Sequence, residues 1–253
     1  MGGEERWEET RPIASYETDV HSELKLSALW RICQEISGRH LTAHGLSYER
    51  MKADGKVFLF LCNAADIARI PRHREPVRFS TWPCGRRAAQ FYRRYSLENA
   101  ETGERLVDVN QSSVLVDPAA HKVLRPKEFL DYGYPIGEAE GEPLRRLELP
   151  EGMEPVGERT VRYSDLDYNW HLNNAVYGDI VCDCFPGGMF GRRIRSAQMH
   201  YESEARYGET LRVSAKQTPD GVYFCGEHPR GLCFTALLRT EGRPGEAAPS
   251  KPE

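Results

Sequence analysis

The chain has 253 residues, of which 40% are hydrophobic and 28% charged, with a formal net charge of −4. That length holds one large domain or two of about 100–150 residues, and the composition is that of a globular chain rather than a disordered one. The acidic balance excludes a general nucleic-acid binder, though not a local basic patch for an acidic partner.

Taken from the N-terminus, residues 1–11 are charged and hold no apolar signal core. No stretch approaches the roughly 18 consecutive apolar residues of a membrane-crossing helix. The expectation is a cytoplasmic chain. The first strong signal spans residues 26–44, where Leu26, Leu29, Trp30, Cys33, Ile36 and His40 follow the spacing of one helical face. Ser27 is placed to cap its start and Gly45 its end. Strand-like runs follow at 56–67, 75–82, 88–99 and 105–116, with Val57, Leu59 and Leu61 on one side of the first. A turn at 100–103 separates the last two and ends on Gly103.

Residues 135–155 break this pattern with Gly137, Gly141, Pro143, Pro150 and Gly152 among many glutamates. They read as a linker. The same order then restarts: a strand at 157–164, an acidic turn, a helix at 174–185 closed by Pro186, and strands at 193–202, 210–217, 222–227 and 232–239. The tail is rich in Gly, Pro, Ala and Ser. The division expected is an N-terminal half at 1–136, a linker at 137–155, a C-terminal half at 156–241 and a flexible tail at 242–253. Two units with one element order suggest an internal duplication of α+β type, a helix wrapped by an antiparallel sheet, with the two sheets pairing edge to edge. The seven cysteines are odd in number and include no Cys-x-x-Cys pair. They read as small core residues, not as disulfide or zinc partners.

From Asp165 to Tyr177 lie two carboxylates, three amides, one imidazole and two phenols, ending at a helix start. Unpaired N–H groups there, with the helix dipole, suit a developing oxyanion. Each residue alone has an ordinary explanation. Asn-Asn before a helix is often a cap, and Asp-x-Asp in a turn is often a turn former.

The full run, Asp165-Leu-Asp-Tyr-Asn-Trp-His171-Leu-Asn-Asn-Ala-Val-Tyr177, resembles the D-x-N-x-H-x-N-N-x-x-Y segment of plant and bacterial acyl-ACP thioesterases. Tyr201-Glu-Ser-Glu204 is similar to that family's Y-x-x-E stretch. In the first half the resemblance continues through Ile67-Ala-Arg69-Ile-Pro71, Val77 to Trp82, Arg93-Arg94, Thr102-Gly103-Glu104 and Ser112-Ser113-Val114, and it covers roughly residues 13–239. It implies a double (tandem) hotdog whose C-terminal half is catalytic and whose N-terminal half shapes the acyl pocket. It implies hydrolysis of fatty acyl-ACP to fatty acid and holo-ACP by carboxylate-activated water. Carried over by position, Asp167, Asn169, His171 and Glu204 are catalytic. Glu204 is the general base, Asn169 and His171 position water and thioester, and Asp167 orients Asn169 or His171. Asn173 and Asn174 serve the oxyanion or stand behind it. Tyr177 is read as core rather than support. Leu29, Trp30, Cys33 and Trp170 are pocket candidates.

No metal or organic cofactor is implied. The partner implied is acyl carrier protein, with no nucleic acid, no membrane span and room for a homodimer. Two departures stand out. Plant members often carry Cys where Ala205 stands, so a cysteine nucleophile at that position is impossible here, and Trp170 occupies a position that is commonly Gln. The first-half equivalent, around residues 16–26, lacks the Asn, His and Asn-Asn set. Two other readings stay open: an acyl-CoA thioesterase of the wider hotdog superfamily, and a non-catalytic acyl-binding hotdog. Basic docking candidates for the carrier are Arg86, Arg87, Lys122, Arg125, Arg192 and Arg193.

Overall fold

The computed structural model describes residues 5–139 and 142–243. The expected tail from 242 falls outside these residues apart from Gly242 and Arg243, as do the first four residues of the chain. The chain divides into two compact units, Met1–Arg145 and Arg146–Glu253.

The first unit contains β1 (Trp7–Pro12), α1 (Leu26–Ala43), α2 (Tyr48–Ala53), β2 (Val57–Ile67), β3 (Pro76–Arg87), β4 (Gln90–Asn99), β5 (Arg105–Asp117), β6 (Lys122–Val123) and α3 (Lys127–Leu130). Its sheet runs β1-β3-β4-β5-β2, every neighbour antiparallel, with β6 extending the end of β5. Helix α1 buries Leu29, Trp30, Cys33 and Ile36, the stripe that its sequence spacing predicts. Gly45 follows its C-terminus at φ +73°, a backbone state that glycine enters cheaply. The start differs from expectation. Lys25 takes the N-cap position without a side-chain bond, and Ser27 lies buried in the first turn. Below the helix end, Phe58, Phe91 and Phe129 meet edge to face with centroids 4.9–5.5 Å apart. This geometry suits the ring quadrupoles.

The face assignment of β2 also needs correction. Leu59 is 51% exposed, whereas Phe58 packs into the cluster with Phe91 and Leu115. A bulge between Phe60 and Cys62 breaks the register with β5 and resets which residues face inward. The turn at 100–103 is as predicted, with Gly103 at φ +73°.

The second unit contains β7 (Glu154–Thr160), α4 (Val176–Asp183), β8 (Arg192–Tyr201), β9 (Thr210–Thr218), β10 (Gly221–His228) and β11 (Gly231–Gly242). Its sheet runs β8-β11-β10-β9-β7, again antiparallel throughout. Helix α4 has eight residues, shorter than the predicted 174–185, because the Asn-Asn segment before it is a capped turn. Tyr177 is buried from this helix against Tyr201 and Phe234, with ring centroids at 5.5 and 5.2 Å, so it belongs to the core. All seven cysteines are free, and Cys33, Cys62, Cys84 and Cys233 are buried. No helix among the described residues is long and apolar enough to cross a membrane.

Candidate active site

The dense polar motif forms a turn between β7 and α4, and each backbone bond in it can be followed. Asp165 is buried. Its carboxylate accepts from Arg159 at 2.5 Å and from the Arg162 N–H at 2.9 Å, closing a short 3-10 turn. Its carbonyl accepts the Asn173 N–H at 2.9 Å. Asp167 organises the next four residues. Oδ1 accepts the Asn169 N–H at 2.7 Å and the His171 N–H at 3.4 Å, and the Asp167 N–H donates to the His171 carbonyl at 2.9 Å. Asp167 therefore orients Asn169 and His171 through their main chain, as an Asx turn does. Trp170 is forced to φ +65° at the apex.

This turn brings His171 to Glu204, which lies far along the chain after β8. His171 forms an isolated bridge with Arg206, and the Leu172 N–H donates to the Ala205 carbonyl at 2.9 Å. Across that bridge His171 Nε2 stands 3.3 Å from Glu204 Oε2, both side chains being about one-third exposed. The other carboxylate oxygen accepts from Arg206, at 2.6 Å from Nη2. Burial by itself would raise the Glu204 pKa. The Arg206 hydrogen bond and the charges of His171, Arg206 and Arg230 outweigh it, and the carboxyl ends below its ordinary value of 4.5. Glu204 is thus ionised at neutral pH.

The strand end that carries Glu204 is held from behind. The Ser203 N–H donates to the Cys233 carbonyl, and Ser203 Oγ donates to the Leu232 carbonyl at 2.7 Å. Buried His228 accepts the Arg230 N–H at Nδ1, 3.1 Å, which leaves its Nε2–H to donate to Ser203 Oγ at 3.0 Å. The Ser-His contact is therefore a structural clamp, with the serine proton already given away. Sequence reasoning missed His228. Cys233, the nearby thiol, is held by Ser203 and Tyr177 and pushed up to about 11 by burial, so it is not a thiolate at neutral pH.

Asn173 does not offer its N–H to a substrate. That group is bonded to Asp165, and its Oδ1 caps the turn by accepting the Ala175 N–H at 2.9 Å. The Asn174 N–H meets no acceptor among the described residues, and its carbonyl accepts from the Tyr201 hydroxyl at 3.1 Å. Of the pocket candidates, Leu29, Trp30 and Cys33 are core residues of α1, and Trp170 is exposed in the site turn.

The first unit repeats the turn without the chemistry. Glu17 binds Arg11 as Asp165 binds Arg159. Asp19 Oδ1 accepts the N–H groups of His21 and Glu23 as Asp167 accepts those of Asn169 and His171. Ser22 sits at φ +59°, the counterpart of Trp170, and Glu23 bridges Arg72 as His171 bridges Arg206. In this register Glu23 replaces His171, His21 replaces Asn169, and Ile70 replaces Glu204. One backbone scaffold is used twice and only the second copy carries the His171–Glu204 pair.

A second polar cluster offers the ligand types of a metal centre. Glu5, His40 and His44 each bring one ligand atom within 4.8 Å of the others. The Arg93 guanidinium lies 3.2 Å from His40 Nδ1, and a cation there would face its charge. Burial, with the charges of Arg93 and His44, pushes His40 down to about 4. The neutral ring instead joins Arg93 and Tyr134 in a buried hydrogen-bond network.

Comparison with known proteins shows the family of the chain. Residues 4–131 match the model of the acyl-ACP thioesterase N-terminal domain, and residues 153–243 match that of the C-terminal domain. A chloroplastic acyl-[acyl-carrier-protein] hydrolase of Cuphea viscosissima is 23% identical over 90% of this chain and 58% of its own length. A chloroplastic dodecanoyl-[acyl-carrier-protein] hydrolase of Umbellularia californica is 25% identical over 92% of this chain and 63% of its own. The chain thus spans about three-fifths of the length of these curated relatives. A solved structure from Lactobacillus plantarum, named for oleoyl thioesterase, superposes with a TM-score of 0.82 at 22% identity, covering 96% of this chain and 98% of that one. The fold is the tandem hotdog.

Proposed function

Because the chain belongs to the acyl-ACP thioesterase family, we propose that it hydrolyses fatty acyl thioesters of acyl carrier protein, releasing the fatty acid and the free-thiol carrier. The observation that carries this reading is the ionised Glu204 carboxylate 3.3 Å from the His171 imidazole, on a turn whose first-unit copy lacks both groups. In the proposed reaction Glu204 takes a proton from water as the water oxygen attacks the thioester carbon. The carbonyl electrons move onto oxygen, where the Asn174 N–H is the available donor. Collapse of the intermediate breaks the C–S bond, and the proton held by Glu204 returns to the leaving thiolate. Asp167 keeps Asn169 and His171 in register with the carboxylate. Measuring free thiol release from acyl-ACP and acyl-CoA of one chain length tests the proposal. Faster turnover of acyl-ACP supports it. Preference for acyl-CoA favours the CoA branch, and binding without thiol release makes the protein an acyl-binding hotdog.

The rate law has an acid limb set by Glu204. The required form is the carboxylate and its pKa is lowered, so the acid limb is expected at lower pH than an ordinary glutamate would give. Arg206→Ala removes the hydrogen bond and charge that lower this pKa and leaves burial, which raises it. The acid limb of kcat/KM is expected to move to higher pH. A pH profile with an unmoved limb would separate Arg206 from the control of Glu204.

The carrier is acidic, and docking is proposed to use exposed arginines such as Arg86 and Arg87. Opposite charge raises encounter rate more than affinity. Raising salt is then expected to lower kcat/KM for acyl-ACP, because exposed pairs are screened over about 8–10 Å. A small acyl-pantetheine is expected to respond much less. Equal sensitivity of the two substrates would place the salt effect in the site itself.

A further inference from the structure

Trp170 is a residue that the mechanism does not use and the fold does not need. Its side chain is 75% exposed, so it gains little from packing. Its φ of +65° lies in the left-handed region, an outlier for a bulky side chain. The counterpart in the first unit, Ser22, is small and polar. An exposed indole is thus held against backbone preference one residue from His171.

It is not alone. Tyr168 precedes it on the same turn and is 62% exposed, and Tyr207 is 66% exposed. Tyr207 follows Arg206, the residue bridged to His171. Exposed aromatic residues therefore lie within three positions of His171 or Glu204 along the chain, on both segments of the bridge. Single exposed apolar residues are ordinary, but aromatics gathered around a polar pair mark a contact surface. Arg162, at the start of the same turn, adds an exposed cation.

The occupant follows from the thioesterase reading, on which this inference rests. With the carbonyl at Glu204, the sulfur side of the substrate must leave across this rim. That side is a pantetheine arm, a run of amides, methylenes and a geminal dimethyl group ending in phosphate in both the carrier and CoA. Aromatic faces pack well on such amide and methyl groups, and the phosphate complements a cation. We propose that Trp170, with Tyr168 and Tyr207, forms the rim on which the pantetheine arm packs, and that Trp170 governs capture of the arm rather than the chemical step.

The test is Trp170→Gly, because glycine takes φ +65° without strain. The substrates are one acyl chain on carrier protein, on CoA, on pantetheine and on N-acetylcysteamine, which lacks most of the arm. Expected is a rise in KM of about tenfold for the first three, near the upper end of what one aromatic contact supplies. The KM for the N-acetylcysteamine thioester and every kcat are expected to stay within about twofold, with no fall in Tm and with recovery of KM in Trp170→Phe. Equal changes for all four substrates, or none, overturn the proposal. A loss confined to the carrier-protein substrate overturns it in favour of contact with the protein, and one confined to CoA in favour of the nucleotide. If the wild type releases thiol from none of the four, it is the hydrolase reading that fails.

Discussion

Glu204→Gln lowers kcat by about 10²–10⁴-fold, the usual loss on removing a general base, while the fold stays intact. The amide keeps the size of the carboxylate and can still accept from Arg206, so the strand end held by Ser203 and His228 has no reason to move. What disappears is the proton relay that the carboxylate performs in the proposed reaction, taking the proton from water and returning it to the leaving thiolate. The lower part of the range is expected. A carboxylate held below its ordinary pKa is a weak base and contributes more by position than by basicity. Steady-state thiol release, with circular dichroism to check folding, reads the result. Near wild-type turnover by a folded variant removes Glu204 from the mechanism.

Asp165→Ala should have its largest effect on stability. This carboxylate is almost fully covered and satisfies both Arg159 and the Arg162 N–H. Removing one partner of a buried ion pair costs about 3–5 kcal/mol, and since the Arg159 side chain is 35% exposed, about 2–4 kcal/mol is expected here. Urea unfolding should show a lower midpoint with an unchanged m-value. Well below that midpoint, kcat should remain within about tenfold of wild type, because the backbone bond from Asp165 to Asn173 survives truncation. A stability-neutral variant with turnover as low as that of Glu204→Gln would put Asp165 in the chemistry. The two variants thus separate the carboxylate that braces the turn from the one that faces the imidazole.

Much of the architecture was legible because it is encoded in local periodicity. The stripe of α1, the order of the long strands, and glycine at the ends of α1 and of the 100–103 turn follow from side-chain spacing and backbone sterics. Both are properties of a short window. Short elements escaped. Six residues in β1 and α2 and four in α3 are too few to show a period, and neighbours stabilise them rather than propensity. The face of β2 escaped as well, because a single bulged residue at 61 inverts the alternation and nothing in the local pattern announces it.

At the candidate site the division is sharper. The turn from Asp165 to Asn174 is a local object, and its residue types already announce a polar helix entrance. The resemblance placed a first-half equivalent around residues 16–26, but that Asp19 builds the same turn there was hidden, because Asp19 accepts from main-chain N–H groups and the other side chains can diverge. Only the family resemblance marks Glu204 in the sequence. Its pairing with His171 depends on the long-range bridge to Arg206, and its ionisation on Arg206 and Arg230, which sequence position alone does not rank. The sequence by itself determined which long elements form and which residues could do acid–base chemistry, since these depend on side-chain type and spacing. Tertiary structure alone decided which carboxylate is buried as a brace, which faces the imidazole and that Trp170 stands in solvent, because burial and electrostatics depend on what the rest of the chain brings alongside.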